Sequence, residues 1–182
     1  MKKVYMLLAE GFETIEALAP YDILKRCEID IKTVSITNDT KVVSSQGVTV
    51  IADMTLNNSL LEDGEMLILP GGAPGYVNLG ESEAVENVLK KYYNENKYVA
   101  AICGAPTVLV KNNIAADRKL TCHSGVVTKM GNYNYIGGNT VIDQNLITAN
   151  GAGSSLEFGF LLASLLVDEN TVDTVKKGME IK

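Results

Sequence analysis

Tyr98-Val99-Ala100-Ala101-Ile102-Cys103-Gly104-Ala105-Pro106-Thr107-Val108-Leu109-Val110 decides the fold. A β-prone apolar run meets a cysteine, two small residues follow, and a proline then stands where a helix can begin, its missing N–H falling among the unpaired donors of a first turn. The stretch reads as strand, tight turn and helix, with Cys103 at the corner. Gly104 and Ala105 leave room there for a ligand to approach. A thiol at that corner faces the positive end of the following helix, which favours thiolate over thiol. Local sequence leaves a second reading open, in which Cys103 is a small core hydrophobe, as free cysteines often are.

Outward from this stretch, short apolar runs alternate with segments of helical period, the pattern of βαβ units around a mostly parallel sheet. Runs 4–9, 29–36, 66–69, 98–102 and 146–148 read as strands. Val85, Val88, Leu89 and Tyr92 fall on one face at i, i+3, i+4 and i+7, which predicts a helix over 82–94. A second helix is expected over 15–26, with Pro20 marking a kink or a late start, and a third over 155–167. Ser154-Ser155-Leu156-Glu157 has the spacing of a capping box at the start of that third helix. Strand signals at 48–51 and 140–142, the latter near the turns Gly137-Gly138-Asn139 and Asp143-Gln144-Asn145, suggest smaller hairpin additions.

Three further segments bear on chemistry. Leu69-Pro70-Gly71-Gly72-Ala73-Pro74-Gly75 follows a strand, and its glycines can aim their amides at one point, a nest suited to an oxyanion, or can simply form a turn. Glu10-Gly11-Phe12-Glu13-Thr14-Ile15-Glu16 follows the first strand. Strand ends of a parallel sheet meet on one edge, so a carboxyl from this segment can reach a crevice shared with the glycine loop and the Cys103 turn, where desolvation raises its pKa. Glu10 and Glu13 read as ordinary solvated residues near a helix start. His123 is the single histidine, so a Cys–His pair must use it; the alternative is an exposed loop histidine. Cys122 beside it suggests a metal pair, but no second ligand pair follows at zinc spacing, and no metal or other cofactor is expected.

Composition excludes several classes. With 182 residues, 46% of them apolar and 21% charged, the chain is expected to form one domain over residues 1–182 with its own core. A formal charge of −6 repels nucleic-acid phosphates and anionic membranes, so neither is expected as a partner. The apolar run at the N-terminus ends at Glu10 without a cleavage site and reads as a strand and not a signal peptide. Three cysteines, Cys27, Cys103 and Cys122, make no disulfide framework, which points to a reducing compartment and the cytoplasm.

Taken together, Leu7-Leu8-Ala9-Glu10-Gly11-Phe12-Glu13-Thr14-Ile15-Glu16, Leu69-Pro70-Gly71-Gly72, Ala100-Ala101-Ile102-Cys103-Gly104-Ala105-Pro106, Thr121-Cys122-His123 and Gly151-Ala152-Gly153-Ser154-Ser155-Leu156-Glu157-Phe158 resemble the ThiJ/PfpI superfamily. The likeness is strongest to its small branch with the bacterial ThiJ/YajL proteins and the human parkinsonism-associated deglycase. The resemblance implies an α/β, flavodoxin-like three-layer sandwich, with a mostly parallel central sheet and helices on both faces, assembled as a homodimer. It implies that Cys103 is a strained elbow nucleophile, Glu16 a buried protonated carboxyl bonded to it, and His123 the nearby histidine. By the same likeness Gly71, Gly72 and Gly104 form the oxyanion and substrate-binding set, with Gly72 and Gly104 supplying the amides. Two departures stand out: Ser124 follows His123, and no arginine occurs in Ser44-Ser45-Gln46-Gly47. Gly104 stands where the peptidase-like branch has a histidine, which weighs against proteolysis or amidase activity.

The function this implies is conversion of small reactive carbonyls such as glyoxal or methylglyoxal, free or as adducts on amines and thiols, to hydroxy acids. The competing reading is an oxidative-stress sensor or redox-regulated chaperone working through oxidation of Cys103.

Overall fold

Along β1 (Lys3–Leu8), Tyr5 and Leu7 enter one apolar cluster while Val4, Met6 and Leu8 enter another. Successive strand residues point to opposite faces, so a strand apolar on both lies inside a sheet covered by two helix layers. The computed structural model describes residues 2–56 and 61–181. After β1 come α1 (Thr14–Arg26), β2 (Asp30–Ser35), β3 (Lys41–Val43), β4 (Thr49–Ile51) and β5 (Met54–Thr55). There follow β6 (Met66–Leu69), α2 (Gly75–Glu81), α3 (Glu83–Asn94), β7 (Tyr98–Ile102) and α4 (Pro106–Lys111). Next are β8 (Lys119–Leu120), β9 (Asn134–Tyr135), β10 (Thr140–Asp143), β11 (Leu146–Ala149), α5 (Ser155–Ser164) and α6 (Glu169–Gly178).

Among the described residues seven strands form one sheet in the order β10-β11-β7-β6-β1-β2-β5. Its pairs are parallel except β10 with β11. Leu79, Leu89, Tyr92 and Leu109 from α2, α3 and α4 cover one face; Ile23, Leu24, Phe158, Leu162 and Val172 from α1, α5 and α6 cover the other. This is the flavodoxin-like three-layer arrangement expected from the sequence. The chain winds from β1 to β2 through α1 and from β6 to β7 through α2 and α3, in opposite directions. Winding therefore reverses between β1 and β6, and a crevice opens at their C-terminal ends. The loops after β1, β6 and β7 converge on it.

Those loops interlock backbone to backbone. Glu13 N–H donates to the Gly71 carbonyl at 3.0 Å, and Gly75 N–H to the Gly11 carbonyl at 3.2 Å. Gly72 has φ +88°, and a Cβ there would run into the backbone of Phe12 and Glu13. Only glycine takes both the angle and the proximity.

Several sequence expectations need correction. α1 starts at Thr14 and runs through Pro20 without interruption. Proline removes one intrahelical N–H, and close packing of α1 on α5 offsets the loss. Gly159 of α5 permits that approach, because a Cβ on it would stand 2.7 Å from Ile23 Cδ1 and 3.0 Å from Pro20 Cα. The helix expected over 155–167 stops at Ser164. The capping box does not form: Ser154 has φ −100°, ψ 7°, outside the extended region a cap requires, and its hydroxyl donates to Asn150 Oδ1 at 2.7 Å. Glu157 instead accepts from Thr140 Oγ1 at 2.8 Å. Of the two hairpins, β10–β11 extends the main sheet, whereas β3–β4 forms a separate ribbon tied by Gly11 N–H to the Val43 carbonyl at 2.8 Å.

Gly159→Val tests the α1–α5 contact. The added carbons have no free space, so chemical denaturation should show a loss of about 1–3 kcal/mol, as overpacking typically gives. Unchanged stability would mean that the helices can separate freely.

Candidate active site

Cys103 follows β7 directly, with φ +64°, a region that L residues with a side chain avoid. Such strain is of the order of 1–3 kcal/mol and persists only where surrounding bonds hold it. Here Cys103 N–H donates to the Ala149 carbonyl at 2.9 Å, and its carbonyl accepts from His123 N–H at 2.8 Å. The elbow is thus fixed from β11 on one side and from the His123 segment on the other.

Glu16 lies in the first turn of α1 and is fully buried. Its carboxyl is within hydrogen-bonding reach of the Cys103 thiol, and Oε2 accepts from Gly71 N–H at 3.0 Å. Oε1 is buried and has no partner of good hydrogen-bond geometry. A carboxylate oxygen without a donor is poorly placed, whereas a protonated one can itself donate. Gly71 was expected to face substrate, but its N–H is engaged by Glu16. It is glycine for another reason: a Cβ would lie 2.6 Å from Glu16 Oε2 and 2.7 Å from Cys103 Cβ. The amides of Gly72 and Gly104 do reach the sulfur.

Burial pushes the Glu16 carboxyl up to about 7, against the pull of the Cys103 and Gly71 hydrogen bonds. Burial likewise pushes the Cys103 thiol up to about 12, with the facing Glu16 charge and hydrogen bond acting the same way and the Gly72 and Gly104 amides opposing. Expectation and structure differ here. The thiol meets no open helix terminus that outweighs its surroundings; it sits in a half-buried corner opposite an acid. Charging either group opposes charging the other, so the two titrate as a pair.

His123 is exposed and caps the 3₁₀ segment Ser124–Met130. Its Nδ1 accepts from Gly125 N–H at 3.0 Å, which assigns the ring hydrogen of the neutral form to Nε2. The donor of the neutral ring is therefore Nε2–H. Cys122 is buried in the core beside it. Among the described residues no group of three or more His, Cys, Asp or Glu side chains is placed to hold a metal ion.

Cys103, Gly72, Gly104 and His123 line a cavity of about 280 Å³, together with Glu13 and Tyr76. That is room for a small molecule. A wider cavity of about 650 Å³, lined by Asn139, Asn150 and Ser154, opens on the other side of His123. Glu13 and Tyr76 are among the wall residues that sequence reasoning missed, with Ala73, Gly125 and Val126. Glu13 reads as solvated but accepts from Gln46 Nε2 at 2.8 Å and closes one edge. Tyr76 carries no motif; its position right after the glycine loop was the single available hint.

A profile of the DJ-1/PfpI family matches residues 2–165. The chain is 32% identical over 180 residues to protein dj-1beta of Drosophila melanogaster, covering 98% of this chain and 96% of that one. It superposes on the crystal structure of that protein with a TM-score of 0.96, covering 100% of this chain and 98% of the other at 31% identity. A protein named glutathione-independent glyoxalase DJ-1, from Schizosaccharomyces pombe, is 29% identical over 191 residues, with 100% of both chains covered. No helix among the described residues is long and apolar enough to cross a membrane.

The buried acid has a consequence for stability. Glu16 has an ordinary value of 4.5 and a folded value of about 7, so the folded protein binds the extra proton between those limits. Its stabilising contribution is complete below 4.5 and disappears as pH rises through about 7. Chemical denaturation between these limits should show a loss of the order of 3 kcal/mol, absent in Glu16→Gln. Parallel profiles for the two proteins would show that the acid is not perturbed.

Proposed function

The chain belongs to the DJ-1/PfpI family, and on that premise we propose that it is a cofactor-independent glyoxalase whose nucleophile is Cys103. The observation that carries this reading is the buried Glu16 carboxyl opposite a thiol that opens into a small cavity. Relatives named as glutathione-independent glyoxalases, at 29% identity in Schizosaccharomyces pombe and 30% in Caenorhabditis elegans, support a glyoxalase role in the same family.

In this proposal the singly deprotonated pair reacts in its thiolate form: the separate values of about 7 and about 12 place the first charge on Glu16, but sulfur receives two amides against one at the carboxyl and Oε1 receives none, so the remaining proton is held on Glu16. The thiolate attacks the aldehyde carbon of methylglyoxal or glyoxal, forming a C–S bond, and protonated Glu16 delivers its proton to the carbonyl oxygen. Developing oxyanion charge falls near the Gly72 and Gly104 amides and His123 Nε2–H. Glu16, now a carboxylate, takes the proton from the former aldehyde carbon and returns it to the adjacent carbon, while the hydroxyl proton on the first oxygen passes by way of His123 to the oxygen of the adjacent carbon. The aldehyde carbon is thereby oxidised to a thioester as its neighbour is reduced to an alcohol. Water hydrolyses the thioester, releasing lactate or glycolate and restoring the thiolate. The sum is dialdehyde or ketoaldehyde plus water giving a hydroxy acid, with no external oxidant or reductant. Early adducts on amines or thiols enter the same cycle once their carbonyl is exposed.

Exposed Ile15 on α1 and exposed Val48 and Ile51 on the β3–β4 ribbon support assembly with a second copy of the chain. Three unpaired cysteines suit a reducing compartment. The redox-sensing reading uses the same sulfur: Cys27 and Cys122 are buried, so peroxide has one accessible thiol to meet.

Purified protein should convert methylglyoxal to lactate without glutathione. Cys103→Ala should lower the rate at least about a thousandfold, and Glu16→Gln on the order of a hundredfold or more, as losses of nucleophile and general acid do. Lactate formation by Cys103→Ala at the parent rate would end the proposal.

A further inference from the structure

Tyr76 stands between two cavities that otherwise share no lining residue among the described residues. On one side is the Cys103 cavity of about 280 Å³. On the other is a groove of about 260 Å³, lined by Val77, Gly80, Thr107, Val108 and Lys111. The tyrosine ring rests against the backbone at Gly104, so closely that a Cβ there would lie 2.5 Å from Cδ1 and 2.8 Å from Cε1. Behind it, Thr107 Oγ1 donates to the Gly104 carbonyl at 2.7 Å, so the far groove begins one residue from the reactive cysteine.

The ring is also held. Tyr76 N–H donates to the Gly72 carbonyl at 2.9 Å, which fixes its backbone to the glycine loop. At the other end Lys129 Nζ donates to the Tyr76 hydroxyl at 3.3 Å, with the ammonium 5.6 Å from the ring centroid. Lys129 belongs to the 3₁₀ segment capped by His123. The same short segment thus positions the histidine on one side of the thiol and anchors the aromatic wall on the other.

We infer that Tyr76 is a specificity-determining residue, a partition that restricts the Cys103 site to small carbonyls by closing it from the apolar groove behind. A substrate with one or two carbons beyond the reacting aldehyde fits in front of the ring; an aromatic or long-chain substituent needs the space the ring and groove occupy. Lys129 is its positioning residue. Removing the ring joins the two spaces into a slot of roughly twice the volume, with an apolar far end suited to the substituent of a bulkier aldehyde. The substrate range rests on the carbonyl reading above, whereas the partition itself does not.

The test uses alkylation of the native protein by iodoacetamide and by N-phenyl iodoacetamide, with the Cys103 peptide followed by mass spectrometry. In the parent the small reagent should react much faster. Tyr76→Ala should raise the bulky-to-small rate ratio about tenfold or more, in line with the discrimination one added or removed group provides in an apolar pocket. Tyr76→Phe, which keeps the ring, should stay near the parent ratio, and Lys129→Gln should fall between them. If Tyr76→Ala does not melt cooperatively, Tyr76→Leu takes its place with a smaller rise expected. A ratio unchanged in the folded variant overturns the proposal. Turnover of phenylglyoxal against methylglyoxal separates this from the functional reading. A shifted labelling ratio without turnover of either compound leaves the partition standing and removes the carbonyl reading, whereas methylglyoxal turnover with an unshifted ratio does the reverse.

Discussion

A carboxyl and a thiol occupy one desolvated corner, and they cannot both be charged. That constraint organises the site. Glu16 has no exposure and Cys103 is half-buried, so charge on either is favoured only where amides reach it. The amides are distributed unequally: Gly72 and Gly104 serve the sulfur, Gly71 serves one carboxyl oxygen, and Oε1 has none. A charge on sulfur has the Gly72 and Gly104 amides, whereas a charge on the carboxyl leaves a buried carboxylate oxygen without a donor.

The rest of the fold can be understood as what brings these groups together. Glu16 is carried by α1, whose seat depends on the close approach to α5 at Gly159. Cys103 is carried by an elbow that β11 and the His123 segment hold in a strained conformation. The Gly71 and Gly72 amides come from a loop that must be glycine at both positions, the first because the acid and the thiol crowd it, the second because a neighbouring backbone does, and the Gly104 amide comes from the elbow itself. Each demand is a matter of distance at the reversal point of the sheet, where three strand ends meet.

Much of this was legible in the residues. The buried strands β1, β6 and β7 are apolar runs, β2 alternates Ile31 and Val34 with polar residues, and α3 shows an unbroken face of Val85, Val88, Leu89 and Tyr92, with Ser82 accepting from Val85 N–H at 3.3 Å. Strands of two residues such as β5, β8 and β9 are too short to show a period, so they were invisible. α6 was missed although Asp168 caps it through Thr171 N–H at 3.0 Å. The capping box failed because spacing alone does not report the backbone angle at Ser154. At the site, resemblance named Cys103, Glu16 and His123 and the structure brings all three to one crevice. What no pattern conveyed was the direction of hydrogen bonds: that Gly71 is committed to the acid, that His123 Nδ1 is already occupied, and that a tyrosine ring lies across Gly104.

The most direct measurement is the ultraviolet absorbance of thiolate as a function of pH, taken as the difference between the parent protein and Cys103→Ser. If the pair releases its first proton from sulfur, the thiolate signal grows through the region near 7 where burial has placed the acid. If the signal stays absent through that region and appears only toward 12, the charge resides on Glu16, and the nucleophile this account depends on does not exist at neutral pH.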